Sequence, residues 1–302
     1  MKKHIFKFGA LALSLVILIS ASACGASAGS KSAGGATIRV GSKNFTENLI
    51  VAELYALALE NNGFKVERDF NLADTAVQTA ITSNDIDLYP EYTGTGLLTV
   101  LKHSLVTDPE QVYDIVKSEY KTKFNLVWLP YAQANDGQGL VVTKKVSDEY
   151  GIKTISDLQK NANKLRFASQ GEFDDRDDGL PALTAAYGPF NWKSSKVYDN
   201  SLKYSILEND EADVAPAYTT EGQLTDPQFV LLEDDKKVWP PYNLAPVVRA
   251  DVLKGSPGIA DALAVVDNAL TTQVITGLNA KVDLDKQEYE DVAADFYATL
   301  KK

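Results

Sequence analysis

From Thr37 onward, short β-branched apolar runs alternate with amphipathic stretches, the rhythm of a layered α/β fold. Residues 38–42 (IRVGS) read as a first strand ending in a turn, after which Asn44 and Glu47 form a capping box for a helix stopping at Gly63. A helix over 73–83, a strand over 86–89 and a turn over 91–95 follow, then a helix over 109–120. Residues 140–143 (LVVT) suit a buried strand. Beyond them the pattern repeats: helix 156–161, strand 165–168, helix 180–187, strand 196–198, helix 202–208, and strands 214–218 and 229–232. The segment 245–249 (APVVR) matches 140–143 in being short and apolar, and the two read as paired crossovers between lobes. That predicts a discontinuous first lobe, 37–139 plus 246–302, and an inserted second lobe, 140–245, with a cleft between them where strand ends and helix N-termini converge. One large α/β domain is the alternative.

The first residues change the picture. Lys2, Lys3 and Lys7 flank an apolar run, 8–19, too short to span a membrane comfortably, so 1–23 read as a signal peptide. Cys24, the only cysteine, follows the small residues 20–23 in a context similar to a bacterial lipobox, although Ala21 stands where leucine is usual. A Cys that merely ends an apolar stretch is the rival reading. Residues 24–36 are a Gly/Ser/Ala-rich tether. The signal peptide takes three lysines with it, so the formal charge falls from −11 to −14. Such an acidic body repels phosphates, which argues against nucleic acid as a partner.

Chemistry-bearing residues are few. Of two histidines, His4 leaves with the signal peptide, and His103 alone cannot furnish a His-rich metal site. With the single thiol assigned to lipid, no Cys-His nucleophile remains. Carboxylates such as Asp174, Asp175, Asp177 and Asp178 keep a cleft hydrolase open as an alternative, although most acids read as solvated surface. Among fourteen tyrosines, Tyr92, Tyr218 and Tyr242 stand beside Gly, Pro and Thr in turn contexts (EYTGT, PAYTTEG, WPPYN) instead of in helical stripes. Core packing is the default for each alone.

Five ordered stretches, GSKNFTE (41–47), DLYPEYTGT (87–95), RDDGLP (176–181), AYTT (217–220) and LEDDK (232–236) continuing into PPY (240–242), resemble the glycine betaine, carnitine and choline-binding proteins of osmoprotectant ABC importers. The resemblance covers about 38–249. It implies a two-lobe periplasmic-binding-protein fold, type II-like, that hinges shut over ligand, needs no cofactor and performs no catalysis. The implied ligand is a quaternary ammonium compound, and the implied partner an ABC permease, with lipid on Cys24 holding the receptor to the outer face of the cell membrane. A trimethylammonium head has no N–H to donate, so aromatic faces are its natural partners. By resemblance Tyr92, Tyr218 and Tyr242 wall the cage, and Lys43, Thr95 and Arg176 receive a ligand carboxylate. Asp136 and Gln138 join the site in NDGQG (135–139), where Gln138 replaces a fourth tyrosine common in the family. That replacement suits choline, carnitine or the larger betaine ergothioneine as well as glycine betaine. An amino-acid receptor, which would keep Arg176 without requiring three tyrosines, is the other binding-protein alternative.

Overall fold

The computed structural model describes residues 37–199 and 202–301. The expected signal peptide, tether and lipid-bearing Cys24 lie outside the described residues. Among the described residues, ten strands form two five-stranded sheets. The first sheet runs β2 (Lys65–Leu72), β1 (Thr37–Lys43), β3 (Leu88–Tyr92), β10 (Leu244–Arg249) and β4 (Leu126–Trp128). The second runs β7 (Ser194–Val197), β6 (Arg166–Ser169), β8 (Val214–Tyr218), β5 (Gln138–Thr143) and β9 (Phe229–Leu231). Both follow one plan, in which three parallel strands are followed by an antiparallel strand and then an edge strand.

The antiparallel strands correct the crossover expectation. β5 is paired on both sides within the second sheet and β10 on both sides within the first, so neither connects the sheets. The chain crosses instead through 129–137 and 232–243, the segments that deliver β5 and β10. Residues 140–143 and 245–249 are apolar because they are interior strands covered on both faces.

The helix Thr46–Asn61 is buried over most of its circumference, with eleven buried residues from Glu47 to Leu59. It packs on the first sheet and against the C-terminal helices Gly258–Asp267, Thr272–Asp283 and Tyr289–Leu300. Its N-cap is Phe45, without a side-chain cap, so the expected Asn44–Glu47 capping box does not form. The carboxylate of Glu47 turns instead toward Tyr92, and the side chain of Asn48 closes the turn by accepting from the Lys43 amide at 2.7 Å. β2 escaped the sequence pattern because KVERDFNL is polar, as an edge strand with mostly exposed side chains can be.

The parallel strands aim their carboxyl ends at the cleft. Tyr92 closes β3 and Tyr218 closes β8, while Gln138 opens β5 directly across the antiparallel ladder from Tyr218. Tyr242 precedes β10 by two residues, on the second crossing segment.

Candidate functional site

On the side of the first sheet, β3 carries Tyr92 into a buried position, 3% exposed, where its hydroxyl donates to Glu47 Oε1 at 2.9 Å. Phe45 lies 6.0 Å away, ring centroid to centroid, tilted by 31°. Lys43 Nζ sits 5.4 Å from the Tyr92 centroid and pairs with Glu91 Oε1 at 2.7 Å. Glu91 and Tyr92 are strand residues here, and Thr93–Thr95 is a single helical turn, where a turn over 91–95 was expected. Thr95 is half-buried at the end of that helical turn. Gly94 makes room for the cleft's second tyrosine: a Cβ there would lie 2.6 Å from Tyr242 Cδ1, too close for any side chain to coexist with the ring.

Tyr242 is held from both ends. Its amide donates to Asn135 Oδ1 at 2.6 Å and its hydroxyl to Asp178 Oδ2 at 2.9 Å. Asp178 is the hub of the side formed by the second sheet. Arg176 donates to it through Nε and Nη2, each at 2.8 Å, and Gln138 Nε2 donates to Oδ2 at 3.2 Å. Trp239 Nε1 donates to the Asp178 carbonyl, at 2.6 Å, and pins the backbone. Burial alone would raise the Asp178 carboxyl, but the Arg176 guanidinium overrides it and holds the group below the ordinary carboxylate range. Arg176 is itself raised by the same hydrogen bonds, so both partners stay charged. Burial pushes the Tyr218 hydroxyl up to about 12 and that of Tyr242 higher still, so both rings remain neutral phenols at physiological pH.

Gln138, Arg176 and Tyr218 line one cavity of about 540 Å³, which continues past them to Gln170, Tyr198 and Asp199. Tyr242 joins through Asp178. Tyr92 and Asp136 do not line this cavity; they meet at a second junction. There Asn279 Nδ2 donates to Glu47 Oε2 at 3.1 Å and to the Thr220 carbonyl at 2.8 Å, and the Thr220 hydroxyl donates to Asp136 Oδ1 at 2.7 Å. Lys43 and Thr95 lie on the Tyr92 side, away from the cavity. A groove of about 550 Å³, between Thr219–Leu231 residues and the helix Thr272–Asp283, contains none of the expected site residues.

Sequence reasoning passed over Glu47, Asp178, Thr220 and Asn279 as site residues. The first three stand inside the quoted motifs, so the motifs themselves carried the signal. Asn279 sits on a C-terminal helix with no distinguishing pattern.

Residues 36–299 match the family model described as OpuAC, the substrate binding domain of the ABC-type glycine betaine transport system. The chain belongs to this family. It is 32% identical over 301 residues to the carnitine transport binding protein OpuCC of Listeria monocytogenes, covering 98% of this chain and 96% of that protein. It is 28% identical over 263 residues to the ergothioneine transport permease/ergothioneine binding protein EgtU of Helicobacter pylori, covering 86% of this chain. The match spans about half of that relative, 47% of its length. A crystal structure of a glycine betaine/carnitine/choline ABC transporter protein superposes with a TM-score of 0.79 over 87% of this chain and 98% of that one, at 24% identity, and shows the shared two-lobe fold. The chain is thus a substrate-binding component of an ABC importer, a transport protein and not an enzyme, which sets aside the cleft hydrolase. Among the described residues no helix is long and apolar enough to cross a membrane.

Proposed function

We propose that the protein captures a quaternary ammonium compound in the cleft, with Tyr92, Tyr218 and Tyr242 as aromatic walls, and delivers it to its permease. The observation that carries this reading is the placement of the three tyrosines: Tyr218 lines the cavity, Tyr242 is joined to its lining through Asp178, and Tyr92 ends β3 two residues before Gly94, against which the Tyr242 ring packs. Neutral phenol rings supply the electron-rich faces that an alkylated ammonium requires, each worth about 0.5–2 kcal/mol. Isothermal titration of the mature chain with glycine betaine, choline, carnitine and ergothioneine tests it. Each Tyr→Ala change should weaken the best ligand by about 2- to 30-fold. Wild-type affinity in all three folded variants rules the cage out.

Within this class a larger betaine is favoured by one feature. The cavity of about 540 Å³ is lined by the polar groups of Gln170, Tyr198 and Asp199 as well as by Gln138 and Tyr218, more room than glycine betaine fills. Ergothioneine, the cargo in the name of the Helicobacter pylori relative, fits that description. Lipidation at Cys24 would hold the receptor on the outer face of the membrane, and Cys24→Ser should release it from the membrane fraction; a wild type that is already soluble and unlipidated removes the anchor.

A further inference from the structure

Several charged groups near the candidate site are paired. Lys43 is committed to Glu91, Arg176 to Asp178, and Lys203 to Glu221. Glu47, from the helix Thr46–Asn61, and Asp136, from the first crossing segment, make no ion pair among the described residues and are bridged to one another by Asn279 and Thr220. Their hydrogen-bond supply is also short. The donors at the junction are the Tyr92 hydroxyl, the Asn279 amide and the Thr220 hydroxyl. Against them stand two carboxyl groups, the Thr220 carbonyl and Asn279 Oδ1, a buried acceptor with no donor among the described residues. Two carboxylates in such a place cannot both be ionised cheaply, so the junction is built to hold a proton or to receive a cation.

We propose that Glu47 and Asp136 share one proton in the free protein and are the anionic counter-charge for the bound quaternary ammonium ion, so that binding expels that proton to solvent. The inference rests on the aromatic cage proposed above, whose wall Tyr92 is hydrogen-bonded to Glu47. A quaternary ammonium cannot donate a hydrogen bond, so its charge is met by rings and by nearby negative charge, and both carboxylates become affordable together once it arrives. Burial, and for Asp136 the charge of Glu47, pushes both carboxyls upward, which agrees with a retained proton.

Other charged or titratable groups stand around the pair. Tyr92 comes from β3, and Tyr218, a phenol raised to about 12, from β8. Glu221 follows β8 and adds negative charge at Asp136, which Lys203 of the helix Lys203–Glu208 partly offsets. The helix Thr272–Asp283 contributes neutral Asn279, and its Asp283 accepts from the Thr46 hydroxyl at 2.7 Å. Of the groups around the junction, Glu47 and Asp136 are the two carboxyls that burial raises, so the linkage is assigned to them.

The sign follows. A cation favours the ionised pair and lowers its proton affinity, so ligand affinity rises with pH by up to about tenfold per unit until the free protein has lost the proton, then levels off. Titration of the mature chain with choline and with glycine betaine, in buffers of differing ionisation enthalpy from pH 5 to 9, counts the released protons directly. Wild type should release up to about one proton per ligand within the sloping range. Asp136→Asn and Glu47→Gln, checked for folding by circular dichroism, should each release none and bind with a flat pH profile. Binding by wild type that is independent of both pH and buffer overturns the proton linkage and leaves the cage intact. Binding of neither compound at any pH removes the cage and this inference with it.

Discussion

Asp178 and Tyr242 are joined by a 2.9 Å hydrogen bond that ties the loop following β6 to the segment delivering β10. The same carboxylate fills the fork of Arg176. The side chain expected to receive a ligand carboxylate therefore already holds one, supplied by its own chain. A ligand carboxylate that reaches Arg176 has to compete with Asp178 or share it.

We predict that Asp178→Asn separates those roles. The amide still offers an oxygen to Tyr242 but no longer neutralises Arg176, so glycine betaine should gain relative to choline, which has no carboxylate. Paired titrations of wild type and variant give the ratio of the two affinities. If Arg176 meets the ligand, the ratio should rise about tenfold or more, the worth of one charge-assisted hydrogen bond. An unchanged ratio assigns Arg176 to holding Asp178 in place.

Gly94→Ala tests the seat of Tyr242. The new methyl would lie 2.6 Å from the ring, and the ring cannot retreat without straining its bond to Asp178. Overpacking of this kind costs about 1–3 kcal/mol, so both the melting temperature and ligand affinity should fall. A loss of stability with affinity intact would place the Tyr242 ring outside the binding surface.

A third prediction concerns the core instead of the cleft. Asp267 is buried against the helix Thr46–Asn61, where the Tyr55 hydroxyl donates to it at 2.6 Å; burial pushes its carboxyl up to about 8, despite that hydrogen bond. In the unfolded chain it titrates at about 3.9. Below that value both states hold the proton, and between the two values only the folded state does. Stability therefore declines as pH rises from about 4 toward 8, by at most about 1.4 kcal/mol per unit. Asp267→Asn should flatten that decline and be the more stable form at neutral pH. Chemical denaturation at several pH values measures it, and parallel curves for both proteins would show that Asp267 is ionised in the fold.

The alternation of apolar runs was enough to read the layered α/β class, because interior strands such as β5 must be apolar on both faces. It missed β2, whose exposed edge needs no apolar face, and it assigned Glu47 to a helix cap from spacing alone. Spacing cannot register that Glu47 has a tertiary competitor for its oxygens, the Tyr92 hydroxyl 45 residues away. Tyr92, Tyr218 and Tyr242 stood out because turn residues flank them. Asn279 did not, since its importance comes from bridging Glu47 and Thr220, neither of which is near it in sequence.

Gln138, read from the sequence as standing in place of a fourth tyrosine, lines the cavity and donates to Asp178. An amide has no π face but can both donate and accept, so on the proposed cage reading Gln138 supplies polarity and space where a ring would supply a wall. A Cβ at Gly139 would meet Leu231 at 2.7 Å, whereas one at Gly137 would find only ordinary contacts. A ring at 138 would extend toward the cavity alongside Tyr218, its partner across the ladder. We predict that Gln138→Tyr improves glycine betaine binding by about 0.5–2 kcal/mol, or about 2- to 30-fold in affinity. The same ring would occupy the route toward Gln170, Tyr198 and Asp199, so a larger betaine such as ergothioneine should bind more weakly to the variant. Opposite shifts for the two ligands are the expected result of calorimetric titration. Equal shifts would mean that the ring merely perturbs Asp178 and its partners, and unchanged affinities for both would take Gln138 out of the binding surface.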